Sequence, residues 1–124
     1  MIIGNFSNYS PVIKAGISRS GKLIFGRGNE RIIVDSGFNG DISAPPVVLD
    51  RLDLVYSGET QFQLADGSLV WKDLWAGEVI LEGNYFEALF IKGDFLLGME
   101  LAADLFSQFL INFDNQKIKL KIRK

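Results

Sequence analysis

The chain has 124 residues, 48% of them apolar and 23% charged, with a net charge of −2 and a pI of about 5.1. This is an ordinary globular composition, long enough for one domain with a real core, and its acidic balance gives no global attraction to nucleic acid or an anionic membrane. There is no His and no Cys, which excludes Ser/His and Cys/His nucleophiles, imidazole or thiolate metal sites, and disulfides.

No apolar run reaches the roughly 18 residues of a membrane span. Met1-Ile2-Ile3-Gly4-Asn5 lacks the basic stretch and apolar core of a secretory signal. The expected location is therefore cytoplasmic. Val12 to Ser18 predicts a strand, Ser18-Arg19-Ser20-Gly21 a turn, and Lys22 to Phe25 a returning strand. Gly26-Arg27-Gly28-Asn29 predicts a second turn, and Arg31 to Asp35 a strand. Ile32, Ile33 and Val34 are continuously apolar, as in a strand covered on both faces.

Ser43-Ala44-Pro45-Pro46 suits the start of a short helix over Pro46 to Leu52, because proline is tolerated in a first helical turn. Gln61 to Leu64 and Leu69 to Trp71 flank Ala65-Asp66-Gly67-Ser68, a hairpin signal. Trp75 to Leu81 and Tyr85 to Ile91 predict a second hairpin about Glu82-Gly83-Asn84. Phe95-Leu96-Leu97 reads as a short buried strand, and Met99, Ala102, Ala103 and Phe106 have helical spacing. Phe109 to Phe113 and Lys117 to Ile122 close the chain as strands. The sum is a mostly β, barrel-like domain over residues 1–124, with one or two short helices.

Asp35-Ser36-Gly37 is the most informative segment. A strand ending there delivers one carboxylate to the edge of a buried core, and the glycine lets another chain approach closely. A tripeptide of this kind arises by chance in roughly one chain in twenty of this length. Taken alone, it reads better as a surface turn.

The wider pattern is more specific. Ile32-Ile33-Val34-Asp35-Ser36-Gly37-Phe38-Asn39-Gly40 is followed by the Pro-led segment from Pro45 to Leu54. Leu64-Ala65-Asp66-Gly67-Ser68 and Leu96-Leu97-Gly98-Met99-Glu100-Leu101 come later. In this order and spacing, the blocks resemble the small single-domain, retropepsin-like aspartic proteases of prokaryotes, from about residue 31 onward. Ser36 stands where that family more usually has Thr, which keeps the hydroxyl. Asp53 stands where it often has Gly.

The resemblance implies a small closed barrel of the retropepsin-like type and an aspartic endopeptidase with no cofactor and no metal. Asp35 would be catalytic, and Ser36 would brace two active-site loops. Gly37 would permit close approach, and Leu97 and Gly98 would pack beneath the loop. Ala65, Asp66 and Gly67 would form a flap over a peptide substrate. The chain has one Asp-Ser-Gly and is too short for two lobes, so a complete site requires a homodimer. Two adjacent carboxylates cannot both ionise, so the pair holds one proton.

Trp71 and Trp75 are expected in the core ahead of a substrate platform. The tail from Lys117 to Lys124 alternates apolar residues with cations, which suits a sheet with one solvated face better than a nucleic-acid strip. By the same resemblance, the tail strand would join a sheet between two chains. The alternative function is a non-catalytic peptide-binding or dimerisation module of the same fold. Neither nucleic acid nor membrane is an expected partner.

Overall fold

The structure, a computed structural model, describes residues 1–21 and 23–123. Lys22, the expected start of a strand, and Lys124, the expected end of the tail, lie outside the described residues.

Four strands from the two ends of the chain form one side of the sheet. They are β1 (Ile2–Ser7), β2 (Ser10–Arg19), β9 (Phe106–Asn112) and β10 (Lys117–Ile122). The middle of the chain supplies β3 (Leu23–Val34), β4 (Ile42–Ala44), β5 (Val55–Gln63), β6 (Leu69–Leu81), β7 (Asn84–Lys92) and β8 (Leu96–Leu97). Two short helices, α1 (Pro46–Leu52) and α2 (Met99–Leu105), complete the described elements. The strand order is β5-β6-β7-β4-β8-β3-β2-β1-β10-β9, and an extra pairing of β2 with β6 closes the middle strands into a ring. The fold is thus mostly β, as the sequence predicts, with a ring of strands inside a single sheet.

Ring closure depends on one irregularity. Ala15 pairs with Glu30 and Ile17 with Phe25, so Gly26, Arg27, Gly28 and Asn29 bulge out opposite Gly16. Gly26, Arg27 and Gly28 have φ of 75°, 48° and 87°, a left-handed path that suits glycine. The expected turn is present as a bulge, and β3 continues through it as one strand. Gly16, freed from β3, pairs with Ile80 of β6. At this seam the buried Ser18 hydroxyl donates to Glu78 Oε1 at 2.7 Å, and the Gly21 N–H donates to the same oxygen at 3.1 Å.

The core fills the ring with Ile13, Ile17, Ile32, Ile42, Phe90 and Leu97, among others, all essentially inaccessible to water. Each such side chain contributes about 1.5–3 kcal/mol on burial. Val48, Leu49 and Leu52 of α1 and Leu101 and Ala102 of α2 cover it. Helix α1 ends at Asp53, whose φ and ψ are both 51° and whose N–H donates to the Asp50 carbonyl. An aspartate therefore takes the left-handed cap position in which glycine is commonest. Glu82 and Gly83, with φ of 48° and 77°, make the two-residue turn joining β6 and β7.

Three expectations need correction. Trp71 is 66% exposed and is no core residue, because its alternation along β6 points it away from the ring. Trp75 is half-buried against the core. Leu69–Trp71 and Trp75–Leu81 belong to one strand, because β5 pairs along the segment between them. The tail strand β10 already has partners on both sides over Lys117–Leu120, namely β1 and β9. The free edge on that side belongs to β9.

A Cβ added at Gly16 would lie 2.5 Å from the Gly28 nitrogen and 2.9 Å from the Phe25 carbonyl oxygen. Gly16→Ala is therefore expected to lower stability by about 1–3 kcal/mol. A Cβ at Gly21 meets nothing within 4 Å, and only its φ of +70° resists replacement. Gly21→Ala should cost about 1 kcal/mol. Urea midpoints of the two variants check the order.

Candidate functional site: the Asp35 loop and the hairpin facing it

Strand β8 lies between β3 and β4. It runs parallel to β3, with Val34 opposite Leu97, and antiparallel to β4, with Ile42 opposite Leu97. The loop from Asp35 to Asp41 must cross over β8 to pass from β3 to β4. Backbone hydrogen bonds fix that crossing. The Asp35 N–H donates to the Leu97 carbonyl at 2.9 Å, and the Gly98 N–H donates to the Asp41 carbonyl at 2.8 Å. Met99 and Glu100 donate to the carbonyls of Phe38 and Gly40 at 2.8 and 3.3 Å. These last two N–H groups open α2 and have no acceptor within the helix, so the loop supplies them.

Glycine is required at the crossing. A Cβ on Gly98 would stand 2.1 Å from the Gly40 carbonyl oxygen and 2.8 Å from the Phe38 ring. Leu97 and Gly98 thus lie directly beneath the Asp35 loop. Within the loop, the Gly37 N–H donates to Asp35 Oδ1 at 2.8 Å, and the Phe38 N–H donates to the Asp35 carbonyl at 3.2 Å. Asp35 is half-buried and its carboxylate is held by its own turn, while Ser36 and Gly37 are exposed.

The β5–β6 hairpin faces this loop. Its tip closes through Leu64 N–H to the Ser68 carbonyl at 2.8 Å and Gly67 N–H to the Leu64 carbonyl at 3.0 Å. Ser68 donates its N–H to Asp66 Oδ1 at 2.8 Å, and its hydroxyl donates to the same oxygen. Those two donors, the hydroxyl first, hold the exposed Asp66 carboxyl below its ordinary range. Phe62 of the hairpin packs on Phe38 of the loop, with ring centroids 6.2 Å apart.

A groove of about 300 Å³ runs between loop and hairpin. Gly37 and Ala65 both line it, together with Phe38, Phe62 and Lys72. Asp35, Ser36, Asp66 and Gly67 lie outside that lining. The structure therefore brings Gly37 and Ala65 together, and it sets the Asp35 loop on Leu97 and Gly98. The Asp35 carboxylate and the hairpin tip are left on the margins of the groove. Among the described residues, no cluster of acidic side chains suits a metal ion. No protein-family model matches the chain, and no curated protein matches it significantly.

Sequence reasoning missed Asp41. Its Oδ2 accepts the Leu89 N–H at 3.0 Å, tying the far end of the loop to β7. Partial burial raises its carboxyl above the ordinary range, the Leu89 hydrogen bond opposes this, and the nearby Asp104 charge adds to it. The available signal was position: Asp41 follows Gly40 directly and precedes the apolar Ile42 of β4. Phe62 was also missed, because alternation in Gln61–Leu64 does not say which face meets the loop.

The raised Asp41 carboxyl has a definite sign in stability. The folded chain holds its proton more tightly than the unfolded chain does. Stability from this group is therefore full below the ordinary carboxylate range and is lost as pH rises through the raised folded value. Asp41→Asn keeps an acceptor for the Leu89 N–H and removes the titration. Urea midpoints measured from acid toward neutral pH should fall less steeply in the variant than in the parent chain.

Proposed function

We propose that this chain is an aspartic endopeptidase that acts as a homodimer, with one Asp35 from each chain in the site. One observation carries the reading. Asp35 ends a central strand, and its loop is clamped over Leu97 and Gly98 by four backbone hydrogen bonds. A carboxylate on so constrained a loop is held to a fixed geometry, as acid–base catalysis requires. The retropepsin-like barrel belongs to the same proposal. It is supported by the strand ring, by β8 inserted between β3 and β4, and by the hairpin facing the loop.

In this mechanism the two Asp35 carboxyls share one proton. The ionised one takes a proton from water as the water oxygen attacks the peptide carbonyl carbon. The protonated one gives its proton to the carbonyl oxygen. Collapse of the tetrahedral intermediate then returns a proton to the leaving amine. The exposed Ser36 hydroxyl is available to a second chain, and Gly37 leaves room for one.

The free β9 edge suits the pairing of two chains. Phe106-Ser107-Gln108-Phe109-Leu110-Ile111-Asn112 contains no charge and no proline, and Leu110 and Ile111 are exposed. Proteins usually guard such an edge. The opposite edge, β5, is guarded by a register shift at Gly58 and by Glu59. A second reading, a peptide-binding module that does not cut, is favoured by one fact. The groove is lined without the Asp35 carboxylate.

Asp35→Asn should retain the fold and lose at least 10²-fold in cleavage of a pooled peptide library, the scale of a lost acid–base group. Near-normal cleavage by the variant would remove Asp35 from the mechanism. Activity per chain should also fall on dilution, and Ile111→Lys should bring that fall to higher protein concentration. Sedimentation run beside the activity assay checks both. Full activity in a species shown to be monomeric would sink the shared site.

A further inference from the structure

The groove between the Asp35 loop and the hairpin is unevenly charged. Phe38, Phe62, Leu64, Ile91 and Leu96 give it apolar walls, and Lys72 projects from β6 into the same lining. Lys72 is half-buried, and no hydrogen bond or salt bridge engages its ammonium among the described residues. The other cation, Lys92, is already committed. Its Nζ lies 3.9 Å from Asp50 Oδ1 and 4.9 Å from the centre of the Trp75 ring. Asp94 is the only acid in the lining and is exposed at the rim.

Phe62 also borders a second hollow of about 360 Å³, which adjoins the first at Asn39, Gln63 and Ile91. That hollow contains Asp41 and Glu100 and no cation. An acidic side chain under the hairpin is therefore repelled in the second hollow and attracted beside Lys72. An ammonium with no partner is underused in the chain alone. A carboxylate entering beside it forms a charge-assisted hydrogen bond in a partly desolvated wall.

We infer that this groove takes an extended peptide with an aspartate or glutamate side chain set against Lys72. The inference rests on the peptidase reading for what happens after binding. The ligand class, a peptide, comes from that reading or from its peptide-binding alternative, and the acidic preference rests on the groove. Lys72 is then a specificity-determining residue, and it takes no part in the bond-breaking step.

The test separates the two claims. Asp35→Asn protein, unable to turn over its ligand, is titrated with labelled extended peptides that differ only in Glu, Gln or Lys at successive positions. The wild-type protein is run in parallel on the same peptides for cleavage. At one position Glu should bind about fivefold tighter than Gln, with Lys weakest, which is the worth of a half-exposed charged hydrogen bond. Adding Lys72→Met should abolish the Glu preference, and adding Lys72→Arg should preserve it. Equal affinity for Glu and Gln peptides at every position overturns the inference, as does a Glu preference that survives Lys72→Met. So does a failure to bind any of the peptides. If wild-type protein cleaves the peptides without a preference that depends on Lys72, the inference fails and the peptidase reading stands. If the Glu preference is present and depends on Lys72 while wild-type protein cuts nothing, the groove assignment stands and the peptidase reading fails.

Discussion

The contact between Gly40 and Gly98 is the constraint from which the site takes its shape. Two backbones meet there with no space for a side chain on Gly98. That proximity lets the Gly98, Met99 and Glu100 N–H groups reach the loop carbonyls. It therefore satisfies the opening of α2 and fixes the path of residues 35–41 together. A larger residue at Gly98 would lift the loop, free those donors and displace Asp35 from the end of β3. The strand, the carboxylate and the helix behind it are held by one close approach.

Much of this was legible in the sequence where local chemistry decides the backbone. The Pro45-Pro46 pair opens α1, Glu82-Gly83 turns between β6 and β7, and the hairpin tip falls at Ala65–Ser68. Each depends on a few adjacent residues whose φ preferences admit little else. The core face of β3 was legible for a similar reason: Ile32 and Val34 are buried, while Ile33, on the face the apolar run also predicts to be covered, is half-buried.

Long-range pairing was not legible. Gly26-Arg27-Gly28-Asn29 has the composition of a turn, and only the partner strand β2 makes it a bulge in a continuous β3. Strand β1 carries little periodic signal and exists through its pairing with β10 and β2. Strand β4 is three residues long and is defined by β7 and β8 on either side. Trp71 shows the same limit at the level of one residue. Its size argued for burial, but the register of β6 against β5 turns it to solvent. At the site, the sequence singled out the loop and the glycines beneath it. It marked Asp41 only by its position between Gly40 and Ile42 and did not mark Phe62 or Lys72, because their roles come from elements more than twenty residues apart in the chain.

The seam between β2 and β6 has a consequence for how the chain reaches this structure. Gly16, Ile17 and Ser18 pair with Ile80, Val79 and Glu78, some sixty residues along the chain. The hairpins β2–β3, β5–β6 and β6–β7 close over short distances and can form early. The seam must wait until a long segment has been ordered, and the entropy of closing that loop precedes any reward from the contact. Strand β8 comes later still in sequence, yet it must enter between two strands laid down before it. Ring closure and β8 insertion are thus the non-local steps expected to be slow. Until they occur, the Asp35 loop has nothing beneath it. Folding should therefore leave the carboxylate unplaced until the end, so a partly folded or nascent chain would carry no organised site.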